Sequence, residues 1–181
     1  MLRPLALAMF MMMLIMPGCQ PGSGENPDRK PDFKYSGDAP RDVSLKAYER
    51  LIIGRFEMFP GLNEPGLSLS FPERIYNKIN FLYPDAFSDV RLGDYDKPGV
   101  LVKGTIVEYN PVGRFKRLIP SGRGSALFGV EIVLFDNLSN RAITSFSIRR
   151  TFAAPDRSMG DILDETACEV ADFLAYCRTA N

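Results

Sequence analysis

The chain has 181 residues and not one histidine. That absence removes the side chain most often used for proton transfer near neutral pH. It also removes Ser-His-Asp and Cys-His nucleophile pairs and the commonest zinc ligand. Tryptophan is absent too, so phenylalanine, at 13 residues, must supply the large core side chains. There is no excess of either charge, since Lys plus Arg and Asp plus Glu are 22 each. A nucleic-acid-binding protein would normally be basic. No apolar run is long enough to span a bilayer: the longest, Leu5 to Met16, covers about a dozen residues, against roughly 20 for a membrane helix. Cysteine is scarce, with three residues, Cys19, Cys168 and Cys177. Cys168 and Cys177 fall nine apart in what reads as one helix. At about 1.5 Å per residue they would lie roughly 13 Å apart on opposite faces, beyond the reach of a disulfide unless the helix ended before Cys177. Two small apolar helix residues is the simpler reading.

The organising stretch is the first twenty residues. Arg3 and the amino terminus form a short positive region, Leu5–Met16 an apolar core, and Pro17-Gly18-Cys19 a small-residue close. This is the pattern of a secretory signal peptide. Met16-Pro17-Gly18-Cys19 resembles the lipobox of bacterial lipoproteins, matching at Gly18 and Cys19. The resemblance implies cleavage after Gly18 and acylation of Cys19, palmitate included. Several acyl chains on one residue anchor stably where one alone is marginal. Residue 20 is Gln rather than Asp; by the same resemblance this implies delivery to the outer membrane, on its periplasmic face.

From Gln20 to about Asp42 the chain is rich in Pro, Gly, Ser, Asn and charge, with Phe33 and Tyr35 its large apolar groups. Such a segment buries too little surface to offset its ordering entropy. The expected organisation is a signal peptide at 1–18, a lipidated Cys and flexible tether at 19–44, and one domain at 45–181.

Within that domain, Arg50–Met58 reads as a strand. Pro60, Gly61, Asn63, Pro65 and Gly66 form a loop. A helix follows, with Ser70 as N-cap, Glu73 completing a capping box and Pro72 in the first turn. Phe71, Ile75, Ile79 and Leu82 form its apolar stripe. Ala86–Leu92 is a short strand. Val100–Tyr109, Ala126–Phe135 and Ala142–Phe152 are further strands, the last two a hairpin with Ala142, Phe146, Ile148 and Phe152 on its buried side and Ser145, Ser147 and Arg149 on its wet side. Ser158 with Asp161 caps a final helix. Its stripe is Met159, Leu163, Thr166, Val170, Leu174 and Cys177, with Glu165, Glu169 and Asp172 outside. The elements fit an α+β fold: a two-layer sandwich of a mostly antiparallel mixed sheet of four to five strands, with two amphipathic helices on one face.

The lipobox, the opening strand Tyr48-x-Arg50-Leu51-Ile52-Ile53, the strand Val102-x-Gly104-Thr105-Ile106-Val107-Glu108-Tyr109 and the approach Arg117-x-x-Pro120-Ser121-Gly122-Arg123-Gly124-Ser125-Ala126 together resemble an uncharacterised bacterial lipoprotein family with a domain of unknown function. The likeness covers about residues 45–178 and brings no catalytic residues. Its fold also looks like the small α/β domains of envelope-assembly and secretion lipoproteins.

Between Tyr109 and Val130 there is no acid, but there are four bases: Arg114, Lys116, Arg117 and Arg123. Interleaved with Phe115, Leu118 and Ile119, they are the candidate contact for an anionic ligand such as glycan, lipopolysaccharide or phospholipid. Gly122-x-Gly124 lacks the third glycine and following helix of a dinucleotide loop. Asp94 and Asp96 lack the glycine and terminal glutamate of an EF-hand. Glu108 and Glu131 could be a glycosidase pair, but single acids on a wet sheet face are common. No metal or cofactor is expected. The reading is a non-enzymatic, lipid-anchored periplasmic accessory of the cell envelope that binds an envelope protein, with no nucleic-acid partner. The alternative is a module for an anionic envelope ligand bound through residues 114–123.

Overall fold

The computed structural model describes residues 43–111, 125–153 and 158–179. Seven elements follow in order: β1 (Arg50–Met58), α1 (Leu67–Leu82), β2 (Asp89–Leu92), β3 (Val100–Asn110), β4 (Ser125–Asp136), β5 (Arg141–Ala153) and α2 (Met159–Thr179). The strands make one sheet in the order β2-β1-β3-β4-β5. β1 runs parallel to both β2 and β3, whereas β4 is antiparallel to β3 and to β5. The fold is therefore α+β, with a mixed sheet and two helices packed on one of its faces.

The core lies between helices and sheet. Alternate strand residues point into it: Leu51 and Ile53 from β1, Val100, Val102 and Ile106 from β3, Phe128, Val130, Ile132 and Leu134 from β4, and Phe146 and Ile148 from β5. A file of rings runs through the centre, Phe56 to Phe71 at 5.5 Å and Phe71 to Phe128 at 5.0 Å, both edge-on. Phe146 meets Phe173 of α2 at 4.5 Å. Edge-on and tilted contacts suit the ring quadrupoles. Gly104 of β3 makes room for this file, because a Cβ there would sit 2.4 Å from the Phe56 ring.

α1 begins a turn earlier than its capping signal predicts. Its N-cap is Gly66, with no side-chain cap, and Pro72 lies inside the helix. Ser70 does not cap: its own N–H already donates to the Gly66 carbonyl at 2.9 Å. The reason is Leu67, which is buried in the core. It extends the stripe Phe71, Ile75, Ile79 back by one more step of four, and burying it outweighs a polar cap. α2, by contrast, has the reciprocal box the sequence predicts. The Ser158 N–H donates to Asp161 Oδ2 at 2.8 Å, and the Asp161 N–H donates to Ser158 Oγ at 3.2 Å.

Glu169 and Asp172 are not on a wet face. Glu169 is 8% exposed and accepts from Arg150 Nη2 of β5 at 2.5 Å. Asp172 accepts from the Tyr83 hydroxyl at 2.6 Å. α2 is covered on two sides, by the sheet and by α1, so more of its circumference is buried than a lone amphipathic helix on a sheet would bury. Ala142 is also exposed rather than buried. A bulge between the Leu134–Thr144 and Phe135–Ala142 pairs inserts Ile143 into β5, and Ile143 packs against the core in its place. The short strand β2 is confined to Asp89–Leu92; the preceding Phe87 is buried in the turn that leads to it.

α2 continues through Cys177, whose thiol is free and buried. No bond therefore joins it to Cys168, which is itself disulfide-bonded and so is more than a small apolar helix residue. Burial in the apolar core pushes the Cys177 thiol up to about 12.

Candidate functional site: an open sheet face and its Tyr95 clasp

Both helices cover the same face of the sheet, so the opposite face must be finished in another way. The connection from β2 to β3 does part of that work. Ile53 pairs with Leu92 at the end of β2, and Leu51 pairs with Val100 at the start of β3. The intervening residues 93–99 therefore have to cross β1. Tyr95 shows on which side they pass. Its ring lies under the guanidinium of Arg50 at 5.3 Å, that of Arg91 at 5.8 Å and the ammonium of Lys97 at 5.8 Å. Arg50 and Arg91 share the parity of Ile52, which points away from the helices. The crossing accounts for Ile52 being fully buried although it is outside the helix-side core.

This clasp is fixed at each end. Asp89 accepts from Arg50 Nε and Arg91 Nε, both at 2.6 Å. Hydrogen bonding to Arg50, reinforced by the charge of Arg91, holds the Asp89 carboxyl below the usual carboxylate range. Arg50 Nη1 donates to the Pro98 carbonyl at 3.0 Å. Asn137, in the β4–β5 turn, donates to the Tyr95 carbonyl at 2.6 Å and to the Lys97 carbonyl at 2.9 Å. Gly99 is required where the loop rejoins the sheet, because a Cβ would stand 2.9 Å from the Arg50 carbonyl oxygen.

Beside the clasp is a half-open cavity of about 340 Å³ lined by Tyr48, Glu49, Arg50, Ser88, Pro98 and Gly99 among others. Its size is at the lower end for ligand pockets. Several of its polar groups are already hydrogen-bonded within the protein. The Tyr48 hydroxyl donates to Asp136 Oδ2 at 2.9 Å, and the Glu49 carbonyl accepts from Ser88 through its N–H at 2.9 Å and its hydroxyl at 3.0 Å. Asp136 also accepts from the N–H and hydroxyl of Ser139 and the N–H of Leu138, and these bonds, the Ser139 N–H first, hold its carboxyl low. Burial and the Asp136 bond together raise the Tyr48 phenol. The cavity is a structural corner with little left over to recognise a ligand.

The half of the face over β3, β4 and β5 is different. Leu101, Val107, Leu127, Val133 and Phe135 stand on it half-buried, and Lys103, Glu131, Ser145 and Arg149 stand exposed among them. The registers join them in rows: Leu101 beside Phe135, Lys103 beside Val133 and Ser145, and Thr105 beside Glu131 and Ser147. Lys103 reaches over the Phe135 ring at 5.6 Å. A bulge at Val107 brings Glu108 opposite Gly129, where its Oε2 lies 3.5 Å from Arg149 Nε. Glu108 and Glu131 thus share a face as their spacing allows. They are offset by a register pair, and Glu108 is turned to an arginine. That is an ion-pair arrangement, without the facing geometry that an acid and a nucleophile would need across a scissile bond.

Asp94 and Asp96 are exposed in the crossing loop. Among the described residues no group of three or more acidic or sulfur ligands could hold a metal ion. Among the same residues no helix is long and apolar enough to cross a membrane. Cys19, Arg114, Lys116, Arg117 and Arg123 lie outside the described residues. The open face and the clasp were missed by sequence reasoning. Two signals for them exist, the alternate apolar residues Leu101, Val107, Val133 and Phe135 on strands otherwise read as wet on that side, and Tyr95 amid Arg91 and Lys97. Neither is specific without the register.

No known protein family and no curated protein matches the sequence. Solved structures do share its architecture. The PelC dodecamer from Paraburkholderia phytofirmans aligns at 13% identity with a TM-score of 0.55, covering 72% of this chain and 90% of that one. XCC0632 from Xanthomonas campestris, described as DUF330, aligns at 13% identity with a TM-score of 0.38, over 72% and 79%. Lipoprotein GNA1162 from Neisseria meningitidis aligns at 8% identity with a TM-score of 0.34, over 67% and 94%. The last two are too distant in shape to carry an argument. PelC shows that this chain has a fold in use in a bacterial protein, and its similarity ends at the fold.

Proposed function

We propose that the protein is a non-enzymatic, lipid-anchored module of the bacterial cell envelope, attached through Cys19 to the periplasmic face of the outer membrane. It docks an envelope protein on the open half of its sheet. The observation that carries the docking role is that half-face: Leu101, Val107, Val133 and Phe135 present apolar surface, with Lys103, Glu131 and Arg149 exposed among them. A surface that mixes apolar and charged groups is what an ordinary protein interface presents. The anchor rests on residues 1–19, and the PelC fold, found there as a dodecamer, gives a precedent for this architecture within a protein assembly.

The test has two arms. The natively expressed chain should carry acyl mass and sediment with outer membrane, and Cys19→Ala should do neither. An unacylated, soluble parent would overturn the anchor. Separately, Val133→Asp, which stays on a half-buried wet-side position, should lose partner recovery from solubilised envelopes at least tenfold while the domain still melts cooperatively. Full recovery would overturn the docking face.

A further inference from the structure

The two edges of the sheet are unlike. β2, at one edge, is four residues long, and its Asp89 and Arg91 form a surface ion pair. Short length and charge are the ordinary ways in which an edge strand is kept from pairing with another chain. β5, at the other edge, is 13 residues long. Between Arg141 and Ala153 it has no lysine, no proline and no acid. Of its three arginines, Arg150 is turned inward to Glu169. Its bulge is close to the start, at Ile143, so the ladder from Thr144 onward is regular. Among the described residues no strand pairs with its outer side.

We propose that β5 is a self-pairing edge: two copies of the chain join antiparallel along the regular stretch Thr144–Arg150, with the two-fold axis at Ser147. The two five-stranded sheets become one continuous sheet, and the helices of both copies lie on the same side of it. The interface is isologous and closes on itself. The main-chain N–H and C=O groups of one β5 supply the ladder of the other, which is β-strand addition with a second copy as the added strand.

The side chains select the register. With Ser147 at the axis, the regular stretch Thr144–Arg150 overlaps its copy in full. Arg149 then faces Ser145 of the other copy and Arg150 faces Thr144, so neither cation opposes a cation. A slide of four residues toward the end of the strand sets Arg149 against itself. Like charges directly opposite one another destabilise a strand pair. Ser145 and Ser147 are also small and partly or fully exposed on the open face, so they leave space for the opposing Arg149. The strand's own copy meets these arginines in this register without bringing like charges together. The proposal stands on the sheet edge and is independent of the anchor and of the docking face.

The experiment uses the full chain in mild detergent, with single cysteines placed on β5 and mild copper oxidation. Ser147→Cys puts two thiols opposite each other at a separation that a disulfide accepts, since cross-strand Cα atoms lie about 4.5–5.5 Å apart. It should form a cross-linked dimer on a non-reducing gel. Thr151→Cys should not, because its counterpart is Ile143; the parent, whose Cys177 is buried, sets the background. Ser147→Lys, which faces lysine with lysine at a non-core position, should weaken the dimer at least tenfold by light scattering with the circular dichroism unchanged. A parent that is monomeric at micromolar concentration would overturn the proposal. So would a dimer that survives Ser147→Lys, or equal cross-linking of Ser147→Cys and Thr151→Cys, since each would put the contact elsewhere.

Discussion

Single positions in this protein carry more than their size suggests. Gly104 is the clearest. A methyl group there meets the Phe56 ring at 2.4 Å, and Phe56 is held by Phe71 on its other side. Gly104→Ala should therefore destabilise by about 1–3 kcal/mol through overpacking, read as a lower urea midpoint with an unchanged slope. The buried acids on α2 make a second prediction. Burial raises the Asp172 carboxyl, and the Tyr83 bond only partly opposes it. Burial likewise raises Glu169, against the pull of Arg150. An acid raised on folding keeps its proton where the unfolded chain has lost it, so stability falls as pH rises from the ordinary carboxylate range at about 4 toward neutrality. Asp89 and Asp136 are lowered instead, so their contribution disappears as pH falls below that range. The melting temperature should peak in mild acid. Asp172→Asn, which can still accept from Tyr83, should flatten the neutral limb of the curve; superimposable profiles of variant and parent would refute that assignment.

At the scale of elements, helix starts show what a sequence can and cannot reveal. The Ser158–Asp161 box is a local code, and it forms as read. Replacing Ser158 by Ala should cost about 1 kcal/mol, measured by denaturant titration. Ser70 and Glu73 spell the same code, yet α1 starts at Leu67, because the tertiary reward for burying Leu67 outranks a cap. β1 has the bounds its aliphatic run predicts, Arg50–Met58. Alternation on β3 and β4 is legible too, but alternation cannot place a bulge. Ala142 for that reason falls on the side opposite to the one its alternation predicts, and Glu108 meets Gly129 where simple pairing would give another partner. Glu169 reads as a surface residue until α1 and β5 are both in position around it. The Tyr95 clasp depends on a loop crossing β1, which exists only because β1 lies between β2 and β3. Strand order is a property of the whole sheet, and no local spacing encodes it.

For the whole molecule, the two faces of the sheet divide the labour. Among the described residues, one is sealed by α1 and α2 and holds the fold together, while the other is covered over β1 and left open from β3 to β5. The start and the end of the described domain are also tied to each other. The Leu45 N–H donates to the Cys177 carbonyl at 2.8 Å, and Arg178 Nη1 donates to the Lys46 carbonyl at 3.0 Å. Both ends of the described domain therefore lie in one place, at the last turn of α2. Mechanically, a pull on the chain ahead of Val43 is received first by that small knot and by Leu45 in its buried seat, before it reaches β1. A steady load applied at Val43 would fray the end of α2 before it sheared the sheet, and a body fused after Thr179 would start from the same side as Val43, leaving the far side of the described domain clear.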